Sequence, residues 1–210
     1  MSIIFDIETG PQERRALQAI MPVFSPPGNI KDPDKIKLKL AEKEAKFMDD
    51  AALNAETLNV LAIGLYDDEI EKTEILVISD ISDEKDLIET FWKLVAPSGN
   101  VTEELVGFNS NNFDIPILVR RSYILGIKVP TNLKGKWLPD FCIDLMEMWQ
   151  CGDRQKRISL DRLCKACGFE GKNGSGKYFS QLLQEDREAA IDYLTNDIKI
   201  TAKLAERMMK

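Results

Sequence analysis

Histidine is absent from the 210 residues. That removes a histidine general base, a Ser–His or Cys–His nucleophile and a His-ligated zinc site. Acid–base chemistry falls instead to carboxylates, Tyr, Lys, Cys or metal-activated water. Cysteine is sparse: Cys142, Cys151, Cys164 and Cys167 lack the density of a disulfide scaffold. No apolar run reaches the ~20 residues of a membrane span. The N-terminus enters an apolar strand without a basic start or signal-type segment, so a soluble cytoplasmic protein with no membrane partner is expected. Positive charge is also short. With 28 Lys and Arg against 35 Asp and Glu the net charge is −7, and the pI is near 4.9. That balance argues against sequence-independent duplex binding, which needs many contacts from Lys and Arg to phosphate. An enzyme whose bound metals supply local positive charge remains open. A hydrophobic content of 44% supports an ordinary core, and the length suits a single domain over 1–210.

The stretch Ile3-Ile4-Phe5-Asp6-Ile7-Glu8-Thr9-Gly10 reads as a strand closed by a breaker. Alternation places Ile3, Phe5 and Ile7 on one face, and Ile4, Asp6 and Glu8 on the other. Asp6 and Glu8 then stand roughly 6–7 Å apart at Cα on a strand apolar enough to be central. Neighbouring buried carboxylates need a neutralising partner, and a divalent cation with oxygen ligands is one. An edge strand carrying two solvated acids is the plainer alternative.

Further along, Pro11 to Arg15 suits a helix start, and Met21 to Gly28 forms a loop rich in Pro22, Pro26 and Pro27. A charged helix is expected from Asp34 to about Asn54. It mixes Lys35, Lys37, Lys39, Lys43 and Lys46 with Glu42, Glu44, Asp49 and Asp50. It reads as a solvated face or an arm over a substrate groove, and as an insertion at about 25–58. Val60–Tyr66 and Glu74–Ile78 read as strands that complete an antiparallel meander. Ser82 opens a helix with an imperfect capping pattern, whose apolar face carries Leu87, Ile88, Phe91, Trp92, Leu94 and Val95. Glu104–Phe108 is a fourth strand, Ile115–Leu125 a helix ended by Gly126, and Phe141–Leu145 a short fifth strand or strand-to-helix turn. Ser159–Cys167 is a helix closed by Gly168, and a last helix runs from about Glu185 to Met209. Strands first, then alternation with helices, indicate an α/β fold with a mixed sheet.

Two further acidic positions matter. Asn109-Ser110-Asn111-Asn112-Phe113-Asp114 follows the fourth strand, where α/β sheets commonly place ligands. Asp114 stands at a helix start, so N-capping competes with any role in a site. In the last helix Ala190, Tyr193, Leu194, Asp197, Thr201, Leu204, Ala205 and Met208 share one stripe. Asp197 lies in the middle of that core-facing stripe, one turn after Tyr193. A carboxylate there needs a partner, and a metal shared with Asp6 would serve.

Two motifs invite other readings. Gly171 to Lys177 fits seven positions of a phosphate-binding loop, but Tyr178 stands where Ser or Thr should hold Mg²⁺, and a helix precedes it instead of a strand. It reads as a flexible loop whose lysines could touch a substrate backbone. Cys164-Lys165-Ala166-Cys167 is a CxxC inside a helix without a second pair, which favours buried thiols over zinc.

Asp6-Ile7-Glu8, Asn109 to Asp114 and Tyr193-Leu194-Thr195-Asn196-Asp197 together resemble the three motifs of the DEDD 3′–5′ exonuclease superfamily. Tyr193 places the resemblance in the DEDDy branch, near the stand-alone proteins related to the proofreading domain of family B DNA polymerases. The resemblance runs from Asp6 to Asp197. It implies a ribonuclease H-like fold, a five-stranded mixed sheet flanked by helices. It also implies that Asp6, Glu8, Asp114 and Asp197 hold two divalent ions, Mg²⁺ or Mn²⁺, and that Tyr193 orients the attacking water. Thr9, Asn109 and Phe113 would contact the terminal nucleotide, and Asp144 would either support the site or cap the next helix. The expected substrate is single-stranded DNA or an unpaired 3′ end, cut to nucleoside 5′-monophosphates, with base stacking and a modest groove of lysines for binding. An exoribonuclease of the same superfamily and a non-catalytic nucleic-acid or partner-binding module are the alternatives. The residues do not identify a protein partner.

Overall fold

The computed structural model describes residues 1–26, 28–29 and 31–210; Pro27, part of the expected Pro-rich loop, lies outside them. The elements follow in chain order: β1 (Ser2–Pro11), α1 (Arg14–Ile20), α2 (Pro33–Asp49), β2 (Leu58–Asp67) and β3 (Lys72–Val77). Then come α3 (Glu84–Val95), β4 (Glu104–Gly107), α4 (Asp114–Leu125), β5 (Cys142–Asp144) and α5 (Leu145–Gln150). The chain closes with α6 (Leu160–Ala166), α7 (Phe179–Glu185) and α8 (Arg187–Met209).

The five strands form one mixed sheet in the order β3-β2-β1-β4-β5. β1 is its centre, antiparallel to β2 and parallel to β4; β4 is parallel to β5. At the start of β1, strand partners on both edges satisfy the backbone polar groups, so this apolar stretch can be buried. Alternation along β1 is as expected. Phe5 packs on Phe91 of α3, ring centroids 5.7 Å apart, within the main core of β1, β2, α3, α4 and the first half of α8. Ile4, on the other face, joins a smaller core with Val106, Leu163 and Leu204.

The approach of α8 to the sheet depends on Gly64. It pairs with Asp6 across β1 and β2, so both residues face α8. A Cβ at Gly64 would lie 2.6 Å from Ile198 Cγ1. The missing side chain is the space into which α8 settles.

Across the sheet, Arg121 of α4 and Glu84 of α3 form a buried bidentate pair, Nε–Oε1 2.8 Å and Nη2–Oε2 2.6 Å. Asn59 and the Val60 amide also donate to Glu84, and Arg121 Nη1 donates to the Ala55 carbonyl at 2.9 Å. Each charge therefore has its partners, the condition for an ion pair to be tolerable inside.

Several expectations need correction. Ser82 does not cap α3. Asp80 and Asp83 make a reciprocal capping box around the short turn before it, because Asp80 offers a carboxylate where Ser82 offers only a hydroxyl. The charged helix ends at Asp49, and a 3-10 turn over Asp50–Leu53 follows. No residue of α2 is buried; Asp32 caps it and Pro33 begins it. The last helix runs as expected, over Arg187–Met209, capped by Asp186; the short α7 directly before it is unexpected. The apolar residues of α7 are too few for periodicity to reveal so short a helix.

Candidate functional site

Parallel pairing puts the C-terminal ends of β1, β4 and β5 on one edge of the sheet, and α8 crosses beside it. Asp6 and Glu8 project from β1 toward α8, and Asp197 meets them from the helix. One carboxylate oxygen from each of the three lies within 4.8 Å of the others. Asp197 is fully buried, and Tyr193, one turn earlier, is almost so. Asp197 Oδ1 and the Tyr193 hydroxyl have no hydrogen-bond partner among the described residues.

Asp114 stands beside this group and not within it. The capping alternative does not hold: Asp114 is the first residue of α4, and Phe113 occupies the cap position without a side-chain bond. The Asp114 carboxylate instead accepts from the Ile7 amide of β1 at 3.0 Å, and it lies within hydrogen-bonding reach of Asp6. Of the two readings of Asp144, the cap is seen. Its carboxylate caps α5 through the Met146 amide at 2.9 Å. It also accepts from the amides of Asn109 at 2.8 Å and Asn111 at 3.1 Å. Those bonds hold the loop after β4, where Asn109 takes a left-handed backbone with φ 63°.

The three remaining residues flank the acids. Thr9 is half-buried past a register shift in β1, and its hydroxyl donates to the Ala52 carbonyl at 2.8 Å. Asn109 is half-buried, with a partnerless Oδ1 among the described residues. Phe113 packs against the main core.

Electrostatically the cluster is costly as it stands. Burial, and after it the charge of Asp197, pushes Asp6 up to about 7. Burial and the neighbouring acids push Glu8 and Asp114 well above the carboxylate range. Asp197 is also raised by burial, against the opposing pull of Lys172. The Tyr193 phenol is pushed up by burial and by Glu8 and Asp197. Burial on its own would lower Lys172, but Asp197, Asp6 and Glu8 outweigh it and raise it.

Lys172 was not singled out by its sequence. Its ammonium pairs with Asp197 and lies 5.2 Å from the centre of the Tyr193 ring. The glycine-rich loop that carries it folds down over the acids. A Cβ at Gly174 would lie 2.9 Å from the Tyr193 ring, and one at Gly176 would lie 3.0 Å from Glu8 Oε2. Glycines 174 and 176 thus fit between the loop and the cluster, a closeness that other residues would prevent. The signal available was the GxG spacing itself. The loop follows α6 instead of a strand and leads into α7, which agrees with the rejection of a phosphate-binding loop. The CxxC fares as expected: Cys164 is buried, Cys167 is half-buried, and both are free thiols.

Oxygen-only donors, several of them buried and raised, suit a hard divalent cation. The partnerless Asp197 oxygen and the close carboxylates are what such an ion would satisfy.

The model of a family described as predicted 3′–5′ exonucleases related to the exonuclease domain of PolB matches residues 52–204. The chain belongs to that family. This places it among nuclease-related hydrolases of a type that is commonly metal-dependent. Among solved structures, it is similar to the family B DNA polymerase of the hyperthermophilic archaeon Pyrobaculum calidifontis. The TM-score is 0.61 at 18% identity, over 99% of this chain and 24% of that one. The fold is therefore the ribonuclease H-like one, a five-stranded mixed sheet with flanking helices. The chain spans about a quarter of that polymerase's length. No curated protein matches the chain. Among the described residues, no helix is long and apolar enough to cross a membrane.

Proposed function

We propose that this protein is a metal-dependent 3′–5′ exonuclease acting on single-stranded DNA or unpaired 3′ ends and releasing nucleoside 5′-monophosphates. The observation that carries the reading is the convergence of Asp6, Glu8 and Asp197, one oxygen each within 4.8 Å, beside the Tyr193 hydroxyl. Asp6, Glu8, Asp114 and Asp197 would hold two ions, Mg²⁺ or Mn²⁺. When bound, such ions supply a water nucleophile at neutral pH and charge neutralisation at the departing 3′ oxygen. The protein's own groups do the positioning. Tyr193, its phenol raised, stays protonated, so it orients the attacking water as a hydrogen-bond donor and does not act as its base. Thr9, Asn109 and Phe113 border the place of the terminal nucleotide. Asp144 sets the Asn109 loop through its two amide bonds. Residues 1–210 act as one catalytic unit, with the charged segment at about 25–58 as an insertion. The free cysteines suit the reducing cytoplasm.

Oligonucleotides labelled at the 3′ or the 5′ end, incubated with Mg²⁺ or Mn²⁺, test this. The expected products are mononucleotides released from the 3′ end, and Asp6→Ala or Asp197→Ala should abolish them. Shortening that survives either substitution would refute the assignment. Parallel DNA and RNA substrates decide the sugar preference.

A further inference from the structure

We infer that the cleft between α4, α5 and the loops over residues 134–138 and 150–157 is a single-strand track that carries the 5′-ward part of the substrate away from the acidic site. The inference rests on the exonuclease reading for its direction. Two adjoining cavities carry it. The smaller, about 440 Å³, opens on Asp6, Asn109 and Lys172 and reaches Met146 and Arg157. The larger, about 830 Å³, shares Met146 and Arg157 and continues past Asn111 and Asn112. The shared Met146 and Arg157 make the two cavities neighbours on the way from Asp6 to α4.

The lining of the outer cavity is basic. The protein carries a net charge of −7, yet Arg120, Lys136, Arg154 and Arg157 line this cleft against one acid, Glu147. Glu147 already accepts from Asn111 Nδ2 at 3.0 Å. None of the four cations has an ion-pair partner among the described residues. Trp137 stands in the same cleft, 78% exposed, with Lys136 Nζ 5.1 Å from the centre of its ring. An exposed indole leaves apolar surface in water, and beside exposed cations it is well matched to a base on its phosphate chain. Stacking supplies a sequence-tolerant grip, and the cations follow the backbone. A duplex would need a wider basic face than an acidic protein offers.

Two measurements test this. The first is the affinity for a 5′-fluorescein oligothymidylate of about twelve nucleotides, a length typical of single-strand sites, with Ca²⁺ in place of Mg²⁺. Trp137→Ala should weaken it about 5- to 150-fold, and Trp137→Phe should restore most of the loss. Arg154→Gln/Arg157→Gln should flatten the slope of log affinity against log salt by about 1.4. Lys93→Gln, which removes one charge at an exposed position on α3, is the surface-charge control and should change nothing. Wild-type affinity and slope in all the cleft variants would overturn the track. The second measurement is wild-type hydrolysis of the p-nitrophenyl ester of thymidine 5′-monophosphate, which is too short to enter the outer cavity. Its failure, with oligonucleotide binding still dependent on Trp137, would count against the exonuclease and leave the track standing. Its success, with unaltered binding in the cleft variants, would do the reverse.

Discussion

Replacing Asp6 by Asn should make the metal-free protein more stable and the metal-loaded protein less so. Asp6 is raised from 3.8 to about 7 by burial and by Asp197. A carboxyl raised in the folded state holds its proton there after the unfolded chain has lost it. Folding stability therefore falls as pH rises from about 4 to about 7, and the full penalty is present above that window. Three units correspond to about 4 kcal/mol at 1.36 kcal/mol per unit. Glu8, Asp114 and Asp197 titrate with Asp6 and relax part of the strain, so about half, ~2 kcal/mol, should be recovered by a neutral isostere. In a chain of this length that is roughly 4–8 °C in melting temperature. Thermal melts in chelator should show this gain at about pH 8 and only about a quarter of it near pH 4.5. Adding Mg²⁺ or Mn²⁺ should reverse the order, since only the wild type keeps its ligand. At a hundredfold excess over Kd, binding adds about 2.7 kcal/mol. A variant less stable than wild type in chelator at the higher pH, or a wild type that gains nothing from either ion, would refute the reasoning.

Other substitutions probe separate parts of the structure. Tyr193→Phe should lower turnover about 10- to 100-fold by losing the water's orientation. Its melting temperature should be unchanged or higher, because the buried hydroxyl has no partner to lose among the described residues; full activity would remove the positioning role. Gly64→Ala should cost about 1–3 kcal/mol in a urea titration and reduce turnover, because the new methyl pushes Ile198, the neighbour of Asp197, off the sheet. Arg121→Met should cost about 3–5 kcal/mol by leaving Glu84 buried and unpaired. Adding Glu84→Gln should recover part of that, and strict additivity of the two would show that they do not interact.

The sequence by itself determined the central strand, the face on which Asp6 and Glu8 lie, and the phase that turns Tyr193 and Asp197 inward. Those follow from local periodicity: a strand repeats every two residues and a helix every 3.6, so neighbours along the chain settle which face a side chain takes. Strand types and the Gly126 stop were legible for the same reason. Tertiary structure alone decided the rest. It drew the Asp114 carboxylate onto the Ile7 amide of the central strand, a partner that its place at a helix start does not reveal. It brought Lys172 to Asp197 from a loop 25 positions away, since nothing in a glycine-rich stretch states what it will cover. It also gathered Arg120, Lys136, Trp137, Arg154 and Arg157 into one cleft. The chain distributes these over separate elements, and only the packing of α4 and α5 beside β5 makes them neighbours. Charge and contact depend on distance in space, and sequence fixes that distance only within a few turns of the same element.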